Sequence, residues 1–192
     1  MANLYFYYGA MNAGKSSLLL QAAKNYELEG MGTLLIKPAV DTRDSTTMIV
    51  SRIGISAEAS VVGNSCDLFR LFEEESCSRS ISCVFVDEAQ FLTTSQVHQL
   101  CDIVDKHSTP VLCYGLRTDF KGDLFEGSST LLAMADRLEG LKGMCHCGRK
   151  ATMVARLDSE GNPITSGEQV LVGGEDKYAS YCRKHWKEVT CL

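Results

Sequence analysis

The chain has 192 residues, 45% of them hydrophobic, and carries 19 Lys and Arg against 24 Asp and Glu for a formal net charge of −5. This length suits one ordinary domain, or one with a small appendage, with an adequate core. The acidic balance argues against a general nucleic-acid binder, which needs a basic face, and no apolar run approaches the roughly 20 residues of a membrane span.

The first segment, Leu4 to Tyr8, is aromatic and apolar, as a buried strand should be. It starts so close to Met1 that no signal peptide fits, and a cytoplasmic protein is expected. Residues 9 to 16 then read Gly9, Ala10, Met11, Asn12, Ala13, Gly14, Lys15, Ser16, a complete G-x-x-x-x-G-K-S phosphate loop. Ser17 to Leu28 carries Leu18, Leu19, Leu20, Ala22, Ala23 and Tyr26, as a helix lying on a sheet should. The glycines therefore fall at a strand-to-helix turn, where backbone N–H groups and a helix N-terminus face an anion. Gly9 and Gly14 are expected to supply backbone angles that a side chain would hinder. Lys15 can reach the β- and γ-phosphates of a nucleotide, and the Ser16 hydroxyl can ligate Mg²⁺.

Further along, Thr33 to Lys37 predicts a short strand ending at Pro38, and the polar run Asp41 to Thr47 predicts a mobile loop. Leu68, Leu71 and Phe72 mark a helix, and Cys83 to Val86 a buried strand. Val97, Leu100, Cys101 and Val104 recur at i, i+3, i+4 and i+7, the signature of an amphipathic helix. Val111 to Tyr114 is the next strand and Ser128 to Ala135 a short helix. Alternating strands and helices imply an α/β fold with a mostly parallel sheet and flanking helices, of the P-loop NTPase type.

The strand Cys83 to Val86 runs into Asp87 and Glu88, an apolar strand ending in acids about 70 residues after the phosphate loop. Asp87 is placed to hold Mg²⁺, and Glu88 is the candidate base beside the γ-phosphate. Such a base can activate water or a substrate hydroxyl, so the motif alone leaves an NTPase and a kinase both open. Asp87-Glu88-Ala89-Gln90 also resembles the acidic box of helicases, although a helicase motor normally needs two such domains. No N-K-x-D stretch supports a guanine site.

Composition changes near Gly143, which divides the chain into residues 1–143, a nucleotide-binding domain, and 144–192, a small tail domain. The tail has strand-like runs at Thr152 to Leu157 and Gln169 to Val172 around a turn-rich stretch. Of the nine cysteines, Cys66, Cys77, Cys83, Cys101, Cys113 and Cys191 are scattered and read as small core residues. Cys145, Cys147, Cys182 and His185 form two knuckles separated by 34 residues. Three thiolates and an imidazole would give a closed, structural Zn²⁺ site. His146 and Cys191 are substitute ligands in that reading.

In order along the chain, Gly9 to Ser16, Asp41-Thr42-Arg43, Asp87 to Phe91, Gly115 to Phe120, the cysteine knuckles and Gly173 to Tyr178 closely resemble thymidine kinases of the bacterial and cytosolic (type II) family. The resemblance implies ATP-dependent phosphorylation of the thymidine 5′-hydroxyl, with Glu88 as general base. It implies that ATP and Mg²⁺ are held by residues 9 to 16 together with Asp87, Glu88, Ala89 and Gln90. Asp41 and Arg43 would lie near the sugar and phosphates, and Met11, Phe91, Leu116, Phe120 and Phe125 would line the thymine pocket. The zinc-anchored tail would be a lasso closing over the base, with Val170, Leu171, Val172 and Gly173 reading its edge through backbone groups and Tyr178 closing the pocket. The family further suggests a homotetramer and feedback inhibition by thymidine triphosphate. Two features depart from the pattern: one spacer residue in the first knuckle where many relatives have two, and Val154 where some carry a threonine near the base. From the residues alone, Phe91, Phe120 and Phe125 read first as core, and it is the resemblance that moves Phe91 and Phe120 to the pocket. Other readings of the residues are a P-loop ATPase coupled to a partner, and a zinc module that uses ATP only structurally.

Overall fold

A computed structural model describes residues 1–39, 47–170 and 177–191. Asp41, Arg43, Leu171, Val172 and Gly173, all singled out above, lie outside the described residues. Six strands, β1 (Leu4–Tyr8), β2 (Thr33–Pro38), β5 (Ser60–Val62), β6 (Cys83–Val86), β7 (Val111–Gly115) and β8 (Arg137–Gly140), form one sheet in the order β5-β2-β6-β7-β1-β8. Every pairing in it is parallel. Between β2 and β5 the chain makes a small antiparallel hairpin, β3 (Met48–Val50) with β4 (Ser56–Glu58).

Side chains alternate across the central strands, and the two faces receive different helices. Leu4, Phe6, Leu34, Ile36, Val84, Val86, Val111 and Cys113 point to one face. There they pack on α2 (Leu68–Ser78), α3 (Thr94–His107) and α4 (Glu126–Met134) through Leu68, Phe72, Val97, Leu100, Ile103 and Leu131. Leu35, Cys83, Phe85 and Tyr114 point to the other, where α1 (Lys15–Leu28) contributes Leu19, Leu20 and Ala23 and the hairpin contributes Ile49. The i, i+3, i+4, i+7 helix is α3, and it starts at a capping box: Thr93 Oγ1 accepts from the Gln96 amide at 3.2 Å while Gln96 Oε1 accepts from the Thr93 amide at 3.1 Å.

The tail builds a hairpin of β9 (Gly143–Met144) with β10 (Lys150–Ala151). An antiparallel sheet follows, with β12 (Pro163–Ile164), β11 (Met153–Leu157) and β13 (Lys177–Tyr181) in that order, and then α5 (Arg183–Thr190). It is fastened to the main sheet's loops. Ser180 Oγ donates to the Met11 carbonyl at 2.8 Å. The Trp186 indole N–H is shared between the carbonyls of Phe120 at 3.2 Å and Val154 at 3.0 Å.

Several sequence expectations change here. The two outermost strands, β5 and β8, were not foreseen; both are short, and β8 is exposed along Arg137 to Glu139, so neither shows the hydrophobic signal of a central strand. Gln169 and Val170 are not in a strand. Cys83 and Cys113 are buried and Cys66 and Cys101 are partly so, but Cys77 and Cys191 are exposed and are not core residues. Cys77 sits in the last turn of α2, and Cys191 at the C-cap of α5, where neither helix presents its packed face.

Candidate active site

Because the sheet is parallel, the loops following β1, β6 and β7 open on the same edge, the usual place for a site in an open α/β sheet. The loop after β1 is the phosphate loop, and its Gly9 amide donates to the Gly115 carbonyl at the end of β7, at 3.2 Å. Gly14 takes φ +77° and Asn12 φ +64°, left-handed angles that Gly and Asn tolerate best. Gly9 does not have a positive φ. A Cβ there would come within 2.9 Å of Ala13 Cβ and 3.3 Å of Leu141 Cβ, so this glycine is needed for close approach rather than for its backbone angle.

Lys15 is buried at the head of α1 and donates from Nζ to the Ala10 carbonyl at 3.0 Å. Burial lowers its pKa, and the negative charges of Glu88 and Asp87 partly restore it. Asp87 follows β6 and is only 3% exposed. Burial, reinforced by the neighbouring Glu88 carboxylate, pushes its pKa up to about 6, with Ser16 and Lys15 acting in the opposite direction. Its Oδ1 is buried with no hydrogen-bond partner among the described residues. An orphaned carboxylate oxygen next to a Ser hydroxyl at a phosphate loop fits a divalent cation, which would satisfy both.

Glu88 has φ +50°, a left-handed angle uncommon for a residue with a side chain. It starts a short 3₁₀ turn, Ala89–Phe91. That turn swings Glu88 and Phe91 towards the cavity while Ala89 is fully buried among the core residues.

The cavity, about 320 Å³, joins the phosphate loop to an aromatic chamber. Met11, Asn12, Gly14, Lys15 and Ser16 line its phosphate end, with Glu88 and Gln90 beside them. Phe91, Leu116, Phe120, Phe125, Val170 and Tyr178 line the chamber. Gly9, Ala10, Ala13, Asp87 and Ala89 are not part of its lining. Phe91 and Phe125 meet edge to face with centroids 5.7 Å apart, and the Arg156 guanidinium lies 5.2 Å over the Phe120 ring. Phe120 and Phe125 are buried, yet they belong to neither of the two sheet cores.

Sequence reasoning missed part of the lining. Val50, Arg52 and Ile53 reach the phosphate end from the β3–β4 hairpin, and Thr118, Asp119 and Gln169 complete the chamber beside Val154, the position noted above for its missing threonine. Gln169 Nε2 donates to Asp119 Oδ2 at 3.1 Å, seating the residues before 171 against the loop after β7. Arg52 stands in a run without a motif, so only the folding of the hairpin over the loop reveals it.

Cys145, Cys147, Cys182 and His185 offer four ligand atoms all within 4.8 Å of one another. Cys145 Sγ is 3.3 Å and Cys182 Sγ 3.6 Å from His185 Nδ1, and Cys147 Sγ is 3.9 Å from Cys182 Sγ. A tetrahedron around zinc with Zn–S bonds of ~2.3 Å has edges of roughly 3.7 Å, so the set fits that ion. Burial opposes ionisation of Cys145, but backbone N–H groups of Cys147 and Cys182, and His185, bring its thiol down to about 5. His146 stacks on the His185 ring at 4.3 Å, and neither it nor Cys191 belongs to the four. Cys145 and Cys182 share one apolar cluster with Ala10, Val154, Met11 and Tyr178, so the knuckles brace both the phosphate loop and the chamber.

A phosphate loop opening a helix and an acid pair ending a parallel strand of the same sheet, with β7 between the two strands, define a P-loop nucleotide-binding protein, here with a second pocket contiguous with the phosphate site. Residues 2–186 match the family model described as thymidine kinase. The chain is 56% identical over 190 residues to the thymidine kinase of Enterobacteria phage T4, covering 99% of this chain and 98% of that protein. It is 53% identical over 188 residues to that of Salmonella typhimurium (98% and 92% covered) and 55% identical over 188 residues to that of Legionella pneumophila (97% and 90%). The chain belongs to the thymidine kinase family. Among the described residues no helix is long and apolar enough to cross a membrane.

Proposed function

We propose that the chain transfers the γ-phosphoryl group of ATP to the 5′-hydroxyl of thymidine, giving thymidine monophosphate and ADP. The observation that carries this reading is the single cavity running from Lys15 and Ser16, past Glu88, to Phe91, Phe120, Phe125 and Tyr178. A nucleoside seated among the rings has its 5′ end at the phosphate loop, with Glu88 between. Glu88 accepts the hydroxyl proton as the 5′-oxygen bonds to phosphorus and the β–γ bridging bond breaks. Lys15 offsets the charge that spreads over the moving phosphoryl oxygens. Asp87 and Ser16 would hold Mg²⁺, which supplies further charge compensation when bound. Met11 and Leu116, which line the same cavity, belong to the thymine pocket in this reading. In the same proposal Asp41 and Arg43 act near the sugar and phosphates. Residues 170 to 173 read the base edge, the tetramer and thymidine triphosphate inhibition follow the family, and the chain divides at residue 143. The test is ATP consumption with thymidine, cytidine, deoxyadenosine or no nucleoside. Turnover only with thymidine is expected. Equal turnover in every tube would make the chain a nucleoside-independent ATPase.

The Cys145, Cys147, Cys182, His185 set holds a structural Zn²⁺ in this reading. Cys182→Ser, or prolonged chelation, is expected to lower the melting temperature by roughly 10 °C. It should weaken thymidine binding as well, because Cys182 and Tyr178 share one cluster. Calorimetry and ligand titration on the same sample check both, and an unchanged melting curve would rule out a bound structural metal.

A further inference from the structure

Gln90 carries hydrogen bonds that phosphoryl transfer, as described, does not use. It lies in the 3₁₀ turn after Glu88 and is 2% exposed. Its Nε2 donates to Glu88 Oε2 at 2.6 Å, and its Oε1 accepts from the Leu116 amide at 2.9 Å. The second bond fixes the orientation of the amide. A backbone N–H needs an acceptor, so the oxygen must face Leu116 and the NH₂ must face the carboxylate. Leu116 is itself held, its carbonyl accepting from the fully buried Ser128 hydroxyl on α4 at 2.5 Å. A series of hydrogen bonds therefore runs from α4 through a residue of the cavity wall to the carboxylate of Glu88.

The surrounding backbone is shaped to admit this arrangement. A Cβ on Gly115 would sit 2.7 Å from Gln90 Oε1 and 3.0 Å from Gln90 N, so the strand must end in glycine for the amide to fit. On the other side, a Cβ on Gly127 of α4 would lie 2.5 Å from the Ala89 carbonyl and 3.0 Å from that of Gln90. The left-handed angle of Glu88 turns the chain back so that a side chain two residues on can reach its carboxylate. Close packing on both sides and an uncommon backbone angle thus combine to place one amide against one carboxylate.

We propose that Gln90 is a positioning residue. It holds the Glu88 carboxylate in the orientation that receives the 5′-hydroxyl proton, and acts through Glu88; because both ends of its amide are taken by Glu88 and Leu116, this role replaces the ATP contact that the resemblance implies for it. This rests on the reading of Glu88 as the base. A carboxylate with free rotation spends part of its time off the line of proton transfer, and a small misplacement of a reacting group is enough to cost about 10²-fold in rate. One charge-assisted bond to a buried, fixed donor removes that freedom.

The test is Gln90→Met, with kcat and the dissociation constants of thymidine and ATP measured on the same protein. The expected result is a fall in kcat of about 10- to 100-fold, with both dissociation constants close to those of the parent. Retained kcat, or a loss that appears in either dissociation constant, overturns the proposal, the latter making Gln90 a ligand contact. Gln90→Glu keeps the shape but presents an acceptor to Glu88, and it should lose kcat similarly; parental kcat in that variant also overturns the proposal. Glu88→Gln separates the two readings. Full activity in it removes the base assignment, whereas an inactive Glu88→Gln with an active Gln90→Met removes only the role of Gln90. The double variant should be no slower than Glu88→Gln alone, because Gln90 acts through that carboxylate; a further multiplicative loss counts against the proposal.

Discussion

Glu88→Gln should lower kcat for thymidine phosphorylation by roughly 10²- to 10⁴-fold, the range set by removal of a positioned general base. The fold should survive, since Gln matches Glu in size and the Gln90 amide can still donate to the new side-chain oxygen. The left-handed angle at this position is no worse for Gln than for Glu. Loss of the Glu88 charge removes one of the two interactions that raise the pKa of Lys15 against burial. The ammonium of the variant is therefore easier to deprotonate, and ATP binding should weaken first at alkaline pH. Single-turnover kinetics at saturating thymidine, with ATP titrated at two pH values, separates these effects. Near-parental turnover in a folded variant would show that the proton leaves by another route.

The second large effect concerns Asp87, where activity and stability should move in opposite directions. Its folded pKa, near 6, lies above the ordinary 3.8. The folded protein therefore binds the proton more tightly than the unfolded chain does. The stability linked to that proton is fully present below about pH 4 and is lost as pH rises through about 6. Above that, the metal-free fold carries a buried carboxylate with an unpartnered oxygen. Asp87→Asn removes the charge, so without divalent cation it should stabilise the fold at pH 7.5 by about 1–3 kcal/mol, with a much smaller gain at pH 4. The same variant should be nearly inactive, because the amide has lost the negative charge and one of the two oxygens that would hold Mg²⁺. Adding Mg²⁺ with ATP should raise the melting temperature of the parent but not of the variant. A variant less stable than the metal-free parent at pH 7.5 would mean that the carboxylate is satisfied in some other way.

Much of this site was legible in the residues themselves. Gly9 to Ser16 has a fixed spacing because backbone N–H groups can surround a phosphate in few ways, and its position between an apolar strand and an amphipathic segment identified the turn. Cys83 to Glu88 was readable because a central parallel strand is buried on both faces, so its apolar run ends abruptly where the acids begin. The four side chains of the knuckles could be named because three cysteines and a histidine in two close pairs are a common zinc-ligand pattern, and the fold brings them within 4.8 Å of one another. Helix α3 showed itself through its period.

What the sequence did not disclose depends on elements distant in the chain. Strand β5 is only three residues long and β8 is exposed along Arg137 to Glu139, so each is defined by the free edge that a longer strand offers it. The 3₁₀ turn after β6 and the left-handed Glu88 have no local signature, and they exist because α4 packs against that turn at Gly127. Arg52 joins the phosphate end of the cavity only through the β3–β4 hairpin, which Ile49 anchors beneath α1. Phe120 and Phe125 could not be told from core residues by their type, because a pocket wall and a core both bury aromatic surface; the difference is the space left beside them.

The sequence by itself determined the chemistry that this chain can support: a phosphate loop, an acid pair at a strand end, a thiolate–imidazole set and a parallel α/β framework, each written as residue type at short spacing. The tertiary structure alone decided how those parts face one another. It set which glycine is needed for its angle and which for close approach, and which buried oxygen is left for a cation. It also placed Gln90 against Glu88 and Leu116. The reason is physical: residue types and local periods act over a few positions, whereas a cavity and a hydrogen-bond series are made by contacts between segments tens of residues apart.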